Sequence, residues 1–136
     1  MNPAGINVER SLPIDAALLG DVLLRLRRDS PASALRWTLG DRGAAEVEVS
    51  FASDGPAWTT RARLWNYAGL AMTTATVRLA VVAPDEVRLT LEPTVSASSP
   101  SGDDALSMAD LGQATVDELA EELLWHATRA GLTFRE

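Results

Sequence analysis

The sequence predicts an α+β protein: a short N-terminal helix, a run of antiparallel strands and a long amphipathic helix at the C-terminus. Three observations carry this expectation. Apolar residues alternate with polar ones in successive runs between residues 34 and 95, with turn-forming residues between the runs. Helical apolar spacing occupies about 16–28. A second, longer helical pattern fills 103-DDALSMADLGQATVDELAEELLWHATRAGL-132.

Taken in order, 5-GINVER-10 is a strand, because Ile6 and Val8 alternate with Asn7 and Glu9, and Pro13 stops it. Asp15 is placed to cap the first helix, whose apolar side is Leu18, Leu19, Val22, Leu23 and Leu26. Its basic end, 25-RLRRD-29, suits the negative end of the helix dipole. The runs 34-ALRWTLG-40 and 44-AAEVEVSF-51 are strands separated by the turn 40-GDRG-43, with Leu35, Trp37, Leu39, Ala45, Val47, Val49 and Phe51 inward. A second turn, 52-ASDGP-56, leads into 57-AWTTRARLWNY-67. There Trp58, Thr60, Ala62 and Leu64 share one face, and Arg61, Arg63, Trp65 and Tyr67 share the other. A cross-strand ladder of Arg61 and Arg63 with Glu46 and Glu48 accounts for the arginines. Trp65 and Tyr67 need a separate account, either folding back through 66-NYAG-69 toward a cavity mouth or meeting a second subunit.

The hairpin 76-TVRLAVV-82 and 86-EVRLTLEPTV-95 closes the strand region through 83-APDE-86, with Val77, Leu79, Val81, Val87, Leu89, Leu91 and Val95 inward. Leu70 and Met72 have the opposite parity, so a bulge near 73–76 or a break at Gly69 is expected. Pro93 places its strand at an edge or ends its pairing there. The segment 96-SASSPSG-102 reads as a linker. In the final helix 115-TVDE-118 has the form of a capping box, with Gly112 as a break, and Gly131 as the left-handed end. Its apolar stripe is Val116, Leu119, Ala120, Leu123 and Ala127.

A chain of 136 residues fits one domain, spanning 1–136. Its apolar fraction of 46% and charged fraction of 23% are those of a soluble globular protein. The run 16-AALLGDVLLRL-26 is too short and too charged to span a membrane. The start 1-MNPAGINVER-10 lacks the form of a secretion signal, so a cytoplasmic location is expected. There is no cysteine, which excludes disulfides, thiolate metal sites and a cysteine nucleophile. Lysine is absent too, which removes Schiff-base and P-loop chemistry and fits the codon usage of a GC-rich genome. The net charge of −7 is concentrated after Ser101, where eight acids face two arginines. That balance argues against a nucleic-acid partner, and the acids read as the solvated face of the last helix.

The stretches 6-INVERSLPIDAALLGDVLLRL-26, 77-VRLAVVAPDEVRLTLEP-93 and 115-TVDELAEELLWHATRAG-131 resemble the opening strand and helix, late hairpin and closing helix of the START-like helix-grip superfamily. That group includes polyketide cyclases and aromatases, lipid-transfer domains and plant hormone-binding proteins. The resemblance covers most of the chain but is architectural and rests on no diagnostic motif. It implies a curved antiparallel sheet of six to seven strands gripping the C-terminal helix, with an apolar cavity between them for a hydrophobic or amphipathic small molecule. The chain departs from the pattern in having six strand candidates, with a break near Gly69 as the source of a seventh, and in the shortness of 29-DSPAS-33 where the family has a second helix.

The residues expected to face such a ligand are Trp37, Phe51, Trp58, Thr60, Leu64, Leu79, Leu89, Leu91, Leu119 and Leu123, with Trp65 and Tyr67 at the mouth. The same set also describes a plain packed core. His126 is the single histidine and reads as a surface or partly buried structural residue. No metal or other cofactor is expected: 103-DDALSMAD-110 lacks calcium-loop spacing, and the serines of 96-SASSPS-101 have no nucleophile-elbow context. An enzyme of the cyclase or aromatase type would need Arg10, Tyr67 or His126 to converge in the cavity. An interaction module with a packed core would instead use Trp65, Tyr67 and the acidic helix to hold a protein partner or a second copy.

Overall fold

The computed structural model describes residues 8–30, 33–40, 43–66, 71–93 and 102–134, with side chains except at 54, 66, 71, 93, 102–109 and 132–134. Strand β1 (Val8–Leu12) is followed by a 3-10 turn (Ala16–Leu18) and helix α1 (Leu19–Asp29). Asp15 caps the turn, its Oδ1 accepting from the Ala17 amide at 2.9 Å. Then come β2 (Ala34–Thr38), β3 (Gly43–Glu48), β4 (Ala52–Asp54), β5 (Ala57–Asn66), β6 (Ala71–Ala83), β7 (Glu86–Pro93) and helix α2 (Gly102–Phe134).

The strands form one antiparallel seven-stranded sheet in the order β1-β7-β6-β5-β3-β2, with β4 paired to β5. It curls around α2, which lies against β1, β7, β5 and β3, while α1 packs on α2. The α+β expectation holds. Among the described residues no helix is long and apolar enough to cross a membrane.

The core is the inner face of the sheet pressed on α2. Leu64, Leu79, Leu89, Leu91, Leu119 and Leu123 are essentially inaccessible and belong to one apolar cluster with Leu12, Val77, Val87 and Val116. Leu19, Val22, Leu23 and Leu26 of α1 join it.

Several local expectations are corrected. The seventh strand comes from Ala52–Asp54 and not from a break near Gly69; the turn is confined to Gly55 and Pro56, Gly55 taking a φ of +63°. The predicted strand 44–51 ends at Glu48, and the pairing of β5 shifts where β3 gives way to β4. Thr60 bridges this junction, its Oγ1 3.0 Å from the Glu48 carbonyl oxygen and 3.3 Å from that of Ser50.

No bulge interrupts 73–76. The β5–β6 register runs unbroken from Ala57↔Ala80 to Asn66↔Ala71, so Met72 simply faces outward. The irregularity falls instead between Val81 and Ala83, and Val81 is 38% exposed where an inward residue was expected. Pro93 ends β7, which is interior because β1 covers its other side.

Helix α2 is continuous through Gly112 and Gly131. Thr115 is not a cap: its hydroxyl donates to the Leu111 carbonyl at 2.8 Å, one turn back inside the helix. Residues 94–101, read as the end of the last strand and a linker, and Tyr67 to Leu70 lie outside the described residues.

Candidate ligand-binding face

The residues expected to meet a ligand divide by position. Leu64, Leu79, Leu89, Leu91, Leu119 and Leu123 are closed inside the core. Thr60 is buried with them, and its hydroxyl is engaged by the β3–β4 junction. Trp37, Phe51 and Trp58 are only partly buried against the same cluster, as is Leu35. Trp65 stands on the outer face, opposite Ala44 and Met72. Tyr67 lies outside the described residues.

Registry explains the partly buried group. Trp37 pairs with Ala45 and Leu35 with Val47, both inner-face positions of β3. The Val49 amide donates to the Ser33 carbonyl at 3.1 Å, extending this pairing toward Phe51. Trp58 enters from β5 opposite Ser53 of β4 and Leu79 of β6. Among the described residues α2 has little contact with β2 or β4. Trp37, Leu35 and Trp58 therefore mark an apolar strip on the inner face where, among the described residues, α2 makes little contact, and Phe51, in the β3–β4 connection, packs against the same core.

At the Leu39 end of this strip a cleft of about 480 Å³ opens between the β2–β3 turn and α2. Thr38, Leu39 and Gly40 form one wall and Asp110, Gln113, Ala114, Asp117 and Glu118 the other. The cleft edge is held by Asp117, whose Oδ1 accepts from Arg10 Nη1 at 3.0 Å and from Gln113 Nε2 at 3.1 Å. Arg10 belongs to β1 and the cleft wall to β2, so both edges of the curled sheet reach the same stretch of α2. At the turn, Gly43 is forced by proximity: a Cβ there would overlap the Trp65 carbonyl oxygen and lie 3.3 Å from Leu111 Cδ2.

His126 is more enclosed than expected, at 3% exposure, and sits where α2 meets the end of α1. Its Nδ1 is 4.0 Å from Asp29 Oδ2 and its Nε2 3.9 Å from Glu122 Oε2. Trp125 meets it edge-on at 4.8 Å, and the Arg129 guanidinium lies 4.7 Å from the Trp125 ring centre. Burial pushes the imidazole pKa below 6.5; Asp29 and Glu122 oppose that shift, while Arg129 and Arg25 add to it. The sequence signal that finds this residue is periodicity, since position 126 is three beyond Leu123 and seven beyond Leu119 on the buried stripe.

His126 and Arg10 do not converge. Arg10 reaches α2 at Asp117, about 13 Å along the helix axis from His126 at the ordinary rise per residue. Among the described residues no group of three or more histidine and acidic side chains is placed to hold a metal ion.

No protein family and no curated protein matches the sequence. Among solved structures, the hypothetical protein jhp0584 from Helicobacter pylori is similar at a TM-score of 0.45 and 17% identity, over 90% of this chain and 86% of that one. DynU16, from the dynemicin biosynthetic locus, is similar at a TM-score of 0.45 and 12% identity, over 87% of this chain. This chain spans 45% of the length of DynU16. The Zhui aromatase/cyclase from Streptomyces sp. R1128 is similar at a TM-score of 0.27 and 15% identity, over 94% of this chain and 88% of that one. The neighbours thus include an aromatase/cyclase, while the fold rests on the chain's own strand order and closing helix.

Proposed function

We propose that this protein binds a hydrophobic or amphipathic small molecule on the inner face of its sheet. The apolar part lies along Trp37, Leu35, Phe51 and Trp58, and the polar end reaches the cleft beside Leu39. The observation that carries this reading is that Trp37, Leu35, Phe51 and Trp58 pack against the core yet stay only partly buried. Large rings left partly in water gain roughly 25 cal/mol for each Å² that a ligand covers. The cleft volume falls within the usual range for small-molecule sites. Asp117, Gln113 and Glu118 supply hydrogen-bonding groups on one wall. In this reading the closed leucines position the strip and do not touch the ligand.

The test is a titration with Nile red, a neutral apolar dye. Saturable binding is expected, weakened about tenfold by Trp37→Ala, the equivalent of losing ~1.4 kcal/mol of aromatic contact. Trp65→Ala, on the opposite face, should leave it unchanged. No saturable binding, or a loss on Trp65→Ala without one on Trp37→Ala, would overturn the proposal.

A further inference from the structure

The two edges of the sheet are finished differently. At the β1 edge, α2 lies against the strand and Arg10 Nη1 donates to Asp117 Oδ1 of that helix. At the β2 edge, among the described residues, no strand pairs with the outer side and α2 makes little contact. The bonds of β2 to β3 fix which way its backbone groups point. The Val49 amide donates to the Ser33 carbonyl at 3.1 Å, and the Leu39 amide donates to the Gly43 carbonyl at 2.8 Å. Residues 33, 35, 37 and 39 therefore turn their N–H and C=O groups toward β3. By the alternation of an antiparallel ladder, Ala34, Arg36 and Thr38 turn theirs away from it. Their amides and carbonyls form a row with no ladder partner among the described residues, which is a template for one more strand.

The side chains of β2 select the strand that fits. On the inner face Leu35 and Trp37 are half-buried and Leu39 is buried; on the outer face Arg36 and Thr38 are exposed. A second β2, antiparallel and with Trp37 opposite Trp37, sets Leu35 opposite Leu39 and Arg36 opposite Thr38. Apolar residues then meet on one face and polar residues on the other. Arg36 and Thr38 supply the hydrogen-bonded pairs, and Trp37 occupies the closer non-hydrogen-bonded pair, where two rings cover area that each copy alone leaves in water. A register centred on Arg36 would place two guanidinium groups directly opposite each other, which is unfavourable. In the Trp37 register they are only diagonal neighbours, and each is bonded to its own Glu46, Arg36 Nε donating to Oε2. The same carboxylate accepts from Arg63 Nη1 at 3.2 Å, a rung of the cross-strand ladder expected on this face. A strand complementary to itself in one register is what a two-fold interface requires.

We propose that two copies of this chain associate through β2, antiparallel and centred on Trp37, to make one sheet continuous across both. The proposal goes beyond the ligand reading, and self-association is measured with no ligand present, so either can fail alone.

The test is sedimentation equilibrium of the full chain, combined with residue-resolved hydrogen exchange at high and low protein concentration. The mass should move from twice 14.5 kDa toward 14.5 kDa on dilution. The Arg36 and Thr38 amides should exchange at least about tenfold faster in the dilute sample, while those of Leu35 and Trp37, bonded to β3, stay slow in both. Arg36→Pro removes an amide that points away from β3 and leaves the β2–β3 ladder whole, so it should weaken association at least about tenfold. Arg36→Gln keeps that amide and should associate like the native chain. Circular dichroism checks that both variants fold; if the proline variant does not, the exchange pattern of the native chain decides. The proposal fails if the chain is monomeric at the highest concentration reached, which would leave the edge to a different extended partner. It also fails if the dimer leaves Arg36 and Thr38 exchanging as fast as the monomer does, or if a folded Arg36→Pro associates as tightly as Arg36→Gln.

Discussion

Burial outweighs charge at His126. Two carboxylates lie near its nitrogens, yet loss of water governs the imidazole and holds its pKa below 6.5. The unfolded chain therefore takes up a proton around pH 6.5 that the folded chain accepts only further down. The folded state gains the full benefit of this group above about pH 6.5, and the benefit fades as pH falls from there toward the folded pKa. Melting temperature should thus drop between about pH 7.5 and about pH 5.5, and His126→Gln should flatten that slope. An unchanged slope in the variant would assign the dependence to other groups. The sequence reading leaves His126 at the surface or partly buried, although position 126 continues the 119, 123 stripe that encloses it. Its acidic neighbour Asp29 was not legible, since that contact depends on how α1 crosses α2. Thr60 shows the same limit: alternation placed it inward, but its bonds to the Glu48 and Ser50 carbonyls depend on a change of strand pairing.

Two glycines on regular elements have opposite roles. Gly131 lies within α2, and a Cβ there would meet Leu18 Cδ1 at an ordinary 3.9 Å. Gly131→Ala should therefore stabilise the protein by up to about 1 kcal/mol, through better helix propensity. Gly43 opens β3 against the Trp65 carbonyl of β5, and Gly43→Ala should cost more than about 2 kcal/mol, since backbone and not a flexible side chain blocks the new methyl. Urea denaturation of both variants measures the contrast; equal effects of the same sign would contradict the placement of these residues. At this scale, the sequence showed strands by alternation and helices by apolar stripes. It misled where local motifs were overridden. Glycine and a threonine cap pattern suggested breaks in α2, but Leu111, Val116, Leu119 and Leu123 bury one continuous face that a break would misalign. The three residues of β4 were too few to show any period.

For the whole molecule, the controlling relation is the sheet curled on α2. Leu119 and Leu123 share one cluster with residues from β1, β5, β6, β7 and α1. If the chain is one domain, Leu119→Ala should cost about 2–5 kcal/mol and move the far-ultraviolet and tryptophan-fluorescence unfolding transitions together. A shift in one signal alone would point to two independently unfolding parts. The candidate site was half legible at this scale. Inward parity identified Trp37, Phe51 and Trp58 together with the leucines, but which of them remain open depends on where α2 ends its cover, and curvature decides that.

The pairing of β1 with β7 also has a consequence for how the chain is made. Strand Val8–Leu12 leaves the ribosome long before Glu86–Pro93 exists to receive it, and the stretch of α2 that Arg10 grasps comes later still. The intervening strands emerge with their leucines and valines facing no helix. Folding therefore completes only after α2 has been made, through contacts distant in sequence, which makes it slow. Until then the nascent sheet is an aggregation hazard, and a chain truncated before α2 would keep that hazard permanently.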